Sequence, residues 1–176
     1  ASAAAHLAMM KAMRAGVTEH ELGALMVYEF ERRGCERPAY EPIVGSGFNS
    51  TVLHYAAGPK IIQDGDMVVV DVGGEYSMYA NDTTRTLPAN GKFTARQREI
   101  YDIVLGAQQA AIAAFKAGVS TLGNQGDNAL QKVAYNYINT HGKDSKGEPL
   151  GKYFIHGLGH RVGLNVHDPG PMEQPL

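Results

Sequence analysis

The stretch Asp66-Met-Val-Val-Val-Asp71-Val-Gly-Gly-Glu-Tyr-Ser-Met-Tyr-Ala-Asn-Asp82 reads as an apolar strand that runs out at a carboxylate, a turn near Tyr76 and Ser77, and a returning strand. With the turn centred there, Asp71 and Asp82 face each other across a hairpin. Directly opposed residues on one face of a ladder have Cβ atoms about 4.5–5.5 Å apart. Two carboxylates at that separation repel unless a cation lies between them, and they have the reach to grip metal ions about 3.5–4 Å apart. Either aspartate alone reads more simply as a turn or capping residue. The reading moves toward a site because an unpaired carboxylate directly after Met67-Val68-Val69-Val70 is costly to bury and a second one stands at the hairpin-matched distance.

Outward from this hairpin, residues 42–47, 51–55, 67–72 and 78–87 are β-rich. Helices flank them. Residues 2–14 have high helix propensity up to Gly16, and Thr18 with Glu21 has the spacing of a capping box opening a helix toward Arg33 and Gly34. Thr94 and Gln97 repeat that signal before a run to Lys116, and a last helix is expected over 122–140, against the grain of Gly123 and Gly126. Ala15-Gly16-Val17-Thr18 is echoed by Ala117-Gly118-Val119-Ser120, each between two helices. The echo reads as an internal duplication, although a glycine stop followed by a hydroxyl cap is also a common helix connector. By this logic the second half should run on into strands, yet only a polar loop over 143–148 and a strand-like stretch over 152–167 precede Leu176. The expectation is therefore one domain, incomplete at its C-terminal side.

A second chemical cluster lies in Phe154-Ile155-His156-Gly157-Leu158-Gly159-His160-Arg161-Val162-Gly163-Leu164-Asn165-Val166-His167-Asp168. Its glycines argue against a helix, so this is not the helical His-Glu-x-x-His zinc motif, and no Glu follows His156. His156 and His160, separated by an even number, are expected on one face of a kinked extended segment. Single histidines are usually core or surface groups. Three together, among glycines that permit close approach, favour a site. His54 is expected on a short apolar strand, whereas His6, His20 and His141 fall in helical or loop surface contexts. Carboxylates with imidazoles suit manganese, cobalt or zinc and hence metal-assisted hydrolysis, with a non-ligand histidine moving the proton to the leaving amine.

Composition excludes several partners. Sixteen Lys and Arg against eighteen Asp and Glu give a net charge of −2, with no basic block for nucleic acid or an anionic membrane. No apolar run reaches the ~18 residues of a membrane span, and the Ala-rich start, broken by His6, Lys11 and Arg14, does not read as a signal peptide. The single Cys35 fits a reducing compartment, so the cytoplasm is expected.

The runs Ile43-Val-Gly-Ser-Gly47, Leu53-His54-Tyr55, Asp64-Gly-Asp66, Asp71-Val-Gly-Gly, Asn81-Asp82-Thr-Thr-Arg-Thr86, His156-Gly-Leu-Gly-His160 and Val166-His167-Asp168 together resemble the creatinase, prolidase and aminopeptidase P family over nearly the whole chain. The resemblance implies an α+β pita-bread fold, with two pseudo-symmetric halves (about 1–90 and about 91–176) around a curved, mostly antiparallel sheet whose last strands are missing. It implies that Asp71, Asp82 and His160 are ligands of two divalent ions, Mn2+ first, with Co2+ or Zn2+ as alternatives. His54, His156 and His167 would bind substrate or assist proton transfer, while Tyr55, Arg85 and Asp168 are motif companions without an assigned role. Two further glutamate ligands of the family have no counterpart here, Glu173 lying in a different context, so weak metal binding and weak or no activity are expected of residues 1–176 alone. The family's amino-terminal domain, which helps to build a homo-oligomer, is also outside them. The Leu53-His54-Tyr55 and His156-Gly-Leu-Gly-His160 runs look closest to Xaa-Pro aminopeptidases, acting on peptides with proline second. Prolidase action on Xaa-Pro dipeptides and a non-catalytic peptide-binding module of the same fold are the alternatives, and joint retention of Asp71, Asp82 and His160 speaks against the last.

Overall fold

Helix α1 spans Ser2–Ala12 and helix α2 Glu19–Glu31 in the computed structural model, which describes all 176 residues. The start of α2 is fixed by a reciprocal cap. The Thr18 hydroxyl accepts from the Glu21 N–H at 3.1 Å while the Glu21 carboxylate accepts from the Thr18 N–H at 2.6 Å, satisfying two donors that a bare helix start leaves unpaired. Along α2, Leu22, Met26 and Phe30 recur every fourth residue and are at most 1% exposed; burying each is worth about 1.5–3 kcal/mol.

Five strands follow: β1 Arg37–Pro38, β2 Ile43–Ser46, β3 Met67–Asp71, β4 Gly74–Glu75 and β5 Thr84–Pro88. β3 lies between β2 and β5 in an antiparallel sheet, and β1 pairs with β4. Successive side chains of a strand point to opposite faces. In β3 this buries Val68 and Val70 and leaves Met67, Val69 and Asp71 partly exposed. Val68 and Val70 join Val44, Val72, Ala5, Met9, Leu22, Met26 and Phe30 in one core, so Asp71 stands on the face turned away from it. Together these elements make the first of two compact units, Ala1–Phe93 with Val162–Asp168.

Three expectations are corrected in this unit. Residues 51–55 are not a strand: Gly47–Thr51 is a 3-10 turn entered through Gly47 at φ +53. The Ser50 and Thr51 hydroxyls donate to the carbonyls of Gly47 and Phe48, three residues back, at 2.6 and 2.8 Å, competing with any ladder. The hairpin turn falls one residue later than expected. Tyr76 and Tyr79 exchange two backbone hydrogen bonds of 3.0 Å around Ser77 and Met78, both left-handed at φ 49 and 70, as in a two-residue type I′ turn. The returning strand forms only from Thr84. Third, His6 is not a surface residue but 4% exposed; its Nε2 lies 3.2 Å from the Val72 carbonyl, which can only accept, so Nε2 carries the proton.

The second unit, Thr94–Arg161 with Pro169–Leu176, is helical. Helix α3, Ala95–Ala114, opens on the expected Thr94–Gln97 capping box, and α4 spans Leu130–His141. Ile103, Ala107 and Ala111 of α3 pack with Ala134 and Ile138 of α4. The last helix thus begins eight residues later than expected. Residues 121–129 form a loop instead, closed by Thr121 N–H to the Asn128 carbonyl at 3.0 Å and Leu130 N–H to the Thr121 carbonyl at 3.1 Å, with Gly126 at φ +79. The stretch 152–167 is also not a strand. A 3-10 turn over Leu150–Tyr153 leads into irregular chain whose backbone groups find side-chain or local partners, Leu158 N–H donating to the Gln131 side chain and Gly163 N–H to the Asn165 carbonyl. No helix is long and apolar enough to cross a membrane.

Two stability measurements check this account. The joint substitution Ser77→Asn and Met78→Gly relieves two left-handed side-chain residues and should raise stability by about 1 kcal/mol, read as a higher urea midpoint at unchanged slope. Burial pushes His6 below its ordinary pKa of 6.5, so between the two values the unfolded chain binds a proton that the native state refuses. Stability is then present above about pH 6.5 and lost as pH falls below it. His6→Leu should flatten the unfolding free energy between about pH 7 and 5, and an unchanged slope there would contradict the neutral, buried assignment.

Candidate functional site

The β3–β5 ladder pairs Asp71 with Thr84 and continues through Val72 N–H to the Thr83 carbonyl at 3.2 Å. Asp82 therefore lies one diagonal step from Asp71, not directly opposite as the sequence suggested, because the turn is one residue later. Diagonal neighbours on one face remain within reach of long side chains. The two arms are also drawn together at Gly73, where a Cβ would fall 1.6 Å from the Asn81 carbonyl oxygen; only a glycine permits that approach.

The hydroxyl of Tyr40 reports where the two carboxylates meet. It donates to Asp71 Oδ1 at 2.5 Å and lies 3.1 Å from Asp82 Oδ1, so one proton is shared between two acceptors. Burial first, then the hydrogen bond and charge of Asp71 and the charge of Asp82, hold the phenol far above the usual tyrosine pKa, and it remains a donor. No spacing or motif singles out Tyr40 in the sequence; it precedes β2 in a Pro-flanked segment without periodicity.

Two histidines share this cavity of about 490 Å3, which is lined by Tyr40, Ile43, His54, Asp71, Asp82 and His167 together with Ala39, Ala56 and Val166. His54 is held in a left-handed conformation, φ 53, in place of the expected strand. Its ring centroid is 6.1 Å from that of His167, the planes tilted by 54°. A ring nitrogen of His167 and a carboxylate oxygen of Asp82 lie within 4.8 Å. The segment bearing His167 is tied down by Ala80 N–H to the Gly163 carbonyl at 2.8 Å and by Asn165 N–H to the Asp168 carboxylate at 3.1 Å. Of the other motif companions, Arg85 donates to the Thr84 carbonyl at 2.7 Å and Tyr55 to Glu19 at 2.8 Å.

His156 and His160 belong to the second unit. In each, Nδ1 lies against an adjacent carbonyl, Gly157 at 2.8 Å for His156 and Arg161 at 2.9 Å for His160. A carbonyl accepts only, so in each ring Nδ1 carries the hydrogen donated to it, the arrangement in which an imidazole that binds a metal does so through Nε2. Carboxylate oxygens that converge on one hydroxyl, with imidazole nitrogen beside them, are a donor set that fits a borderline divalent ion.

The model of metallopeptidase family M24 matches residues 1–175. The chain is 40% identical over 176 residues to the Xaa-Pro aminopeptidase of Escherichia coli K12, covering 96% of this chain and 40% of that protein. It is 41% identical over 179 residues to the human Xaa-Pro dipeptidase, covering 96% and 36%. It thus spans about two fifths of the length of these relatives. Among solved structures, prolidase from Pyrococcus furiosus superposes with a TM-score of 0.84 at 36% identity, covering 98% of this chain and 48% of that one. The fold is the α+β pita-bread fold of these neighbours, and the chain belongs to metallopeptidase family M24.

Proposed function

We propose that residues 1–176 form part of one catalytic domain, with halves of about 1–90 and about 91–176, in an Xaa-Pro aminopeptidase that hydrolyses the N-terminal peptide bond preceding proline. The observation that carries this reading is the meeting of the Asp71 and Asp82 carboxylates at the Tyr40 hydroxyl, in a cavity that also holds His54 and His167. Asp71, Asp82 and His160 are the residues we assign to two divalent ions, manganese first and cobalt or zinc otherwise. When bound, such ions supply Lewis acidity, polarising the scissile carbonyl and making water more acidic.

The chain's own residues supply the rest. Tyr40 keeps the two carboxylates aimed at one point. His54, His156 and His167 are the candidates for holding the substrate and for delivering a proton to the proline nitrogen as the bond to it breaks. Ile43, Ala39, Ala56 and Val166 on the cavity wall offer an apolar surface to a pyrrolidine ring, which has no N–H to be satisfied when bound through its peptide. A peptide with proline at the second position is the proposed partner, in the cytoplasm and in a homo-oligomeric parent protein. Action on Xaa-Pro dipeptides is the second reading, favoured by the 41% identity to the human dipeptidase.

The test compares release of the first residue from an Xaa-Pro-Xaa tripeptide with cleavage of an Xaa-Pro dipeptide, using the protein that carries this chain and added manganese. Cleavage should prefer the tripeptide, disappear after chelation, return with manganese, and fall at least about 10²-fold in Asp82→Ala, the loss expected for one transition-state electrostatic stabiliser. Dipeptide preference moves the assignment to a dipeptidase. Cleavage of neither, with no metal retained, overturns the enzyme reading in favour of a peptide-binding module.

A further inference from the structure

Glu19 takes no part in the proposed metal site, yet it is completely buried. A buried carboxylate is costly unless its lone pairs are satisfied, and here they are satisfied by a single loop. Glu19 Oε1 accepts from the Ser46 N–H and the Ser46 hydroxyl, both at 2.8 Å, and from Asn49 Nδ2 at 3.1 Å. Oε2 accepts from the Tyr55 hydroxyl at 2.8 Å and from Asn49 Nδ2 at 3.3 Å. Asn49 Nδ2 in turn lies 2.8 Å from the Tyr55 oxygen, closing a triangle. Although burial raises the pKa, the bonds from Ser46, Tyr55 and Asn49 outweigh it and hold the group below the usual carboxylate range. Its place at the first residue of α2 adds the positive end of the helix dipole.

What this carboxylate organises is the segment from Ser46 to Tyr55, and inside that segment sits His54. Its left-handed backbone, φ 53, is one that residues with a side chain hold only when their surroundings impose it. Asn49 lies five residues before it and Tyr55 one residue after, and both end on the same carboxylate. We propose that Glu19 is a positioning residue for His54, its buried carboxylate fixing through Ser46, Asn49 and Tyr55 the loop that presents His54 to the cavity. The consequence for catalysis rests on the peptidase reading above; the structural claim does not.

Two variants weaken the anchor without emptying it: Glu19→Gln removes the charge, and Tyr55→Phe removes the hydroxyl that donates to Glu19 and accepts from Asn49. On the metal-free chain, both should shift the His54 ring resonances in side-chain 1H–15N spectra and leave those of His141, which lies in the other unit, in place. In the active protein each should lower kcat/KM on the tripeptide by about tenfold, the size of one hydrogen bond to a charged group. Combined with His54→Ala, each should add less than about twofold, because the residue it positions is gone. Unmoved His54 resonances in both folded variants, or losses that multiply in full on the His54→Ala background, would overturn the proposal. If the unaltered protein cleaves no peptide, the peptidase reading falls and the resonances alone decide the role of Glu19.

Discussion

Two carboxylates that reach the same hydroxyl oxygen repel one another unless a donor or a cation stands between them. The first unit is arranged around this tension. An apolar core strand delivers Asp71, a tight turn returns the chain so that Asp82 arrives diagonally beside it, and Tyr40 places one shared proton where the two meet. Each contribution is modest. Together they preorganise acidic groups that the chain would otherwise keep apart, which is the state a cation-binding site must have before its ion arrives.

The division of labour between the faces of β3 makes this affordable in physical terms. Valines 68 and 70 look toward α1 and α2 and contribute burial, while the alternate positions end at Asp71 on the other side. Stability and chemistry therefore occupy opposite faces of the same five residues. Glu19 joins the two: it starts the helix whose apolar stripe builds the core, and its carboxylate reaches forward to the loop beside the cavity.

Much of this was legible in the sequence because it depends on local rules. Both capping boxes, the core strand and the helix-rich second half follow from spacing and propensity, and the aspartate pair could be found from the distance around a turn. What could not be read depends on contacts distant in sequence. Residues 51–55 have β-favouring composition, but a carboxylate some thirty residues earlier claims Asn49 and Tyr55, and the segment curls. The turn slipped by one because Ser77 and Met78 accept left-handed geometry without the Asn-Gly signature that marks such turns. His6 looked like any helix-surface histidine until packing against Val72 buried it. Tyr40 is recognisable only from the oxygens it touches.

Gly73 gives the hairpin a feature that no inventory of reactive side chains would contain. The neck between the acidic arms is narrow because a methyl group is missing there, the Asn81 carbonyl occupying the space a Cβ would need. Spacing between the two acids is thus inherited through bare backbone. The cavity walls can be redecorated to suit new substrates with the usual tolerance of loops, but at this point even alanine, the gentlest exchange elsewhere, acts as a wedge. Chemical versatility at the rim and intolerance at the neck are two properties of the same hairpin.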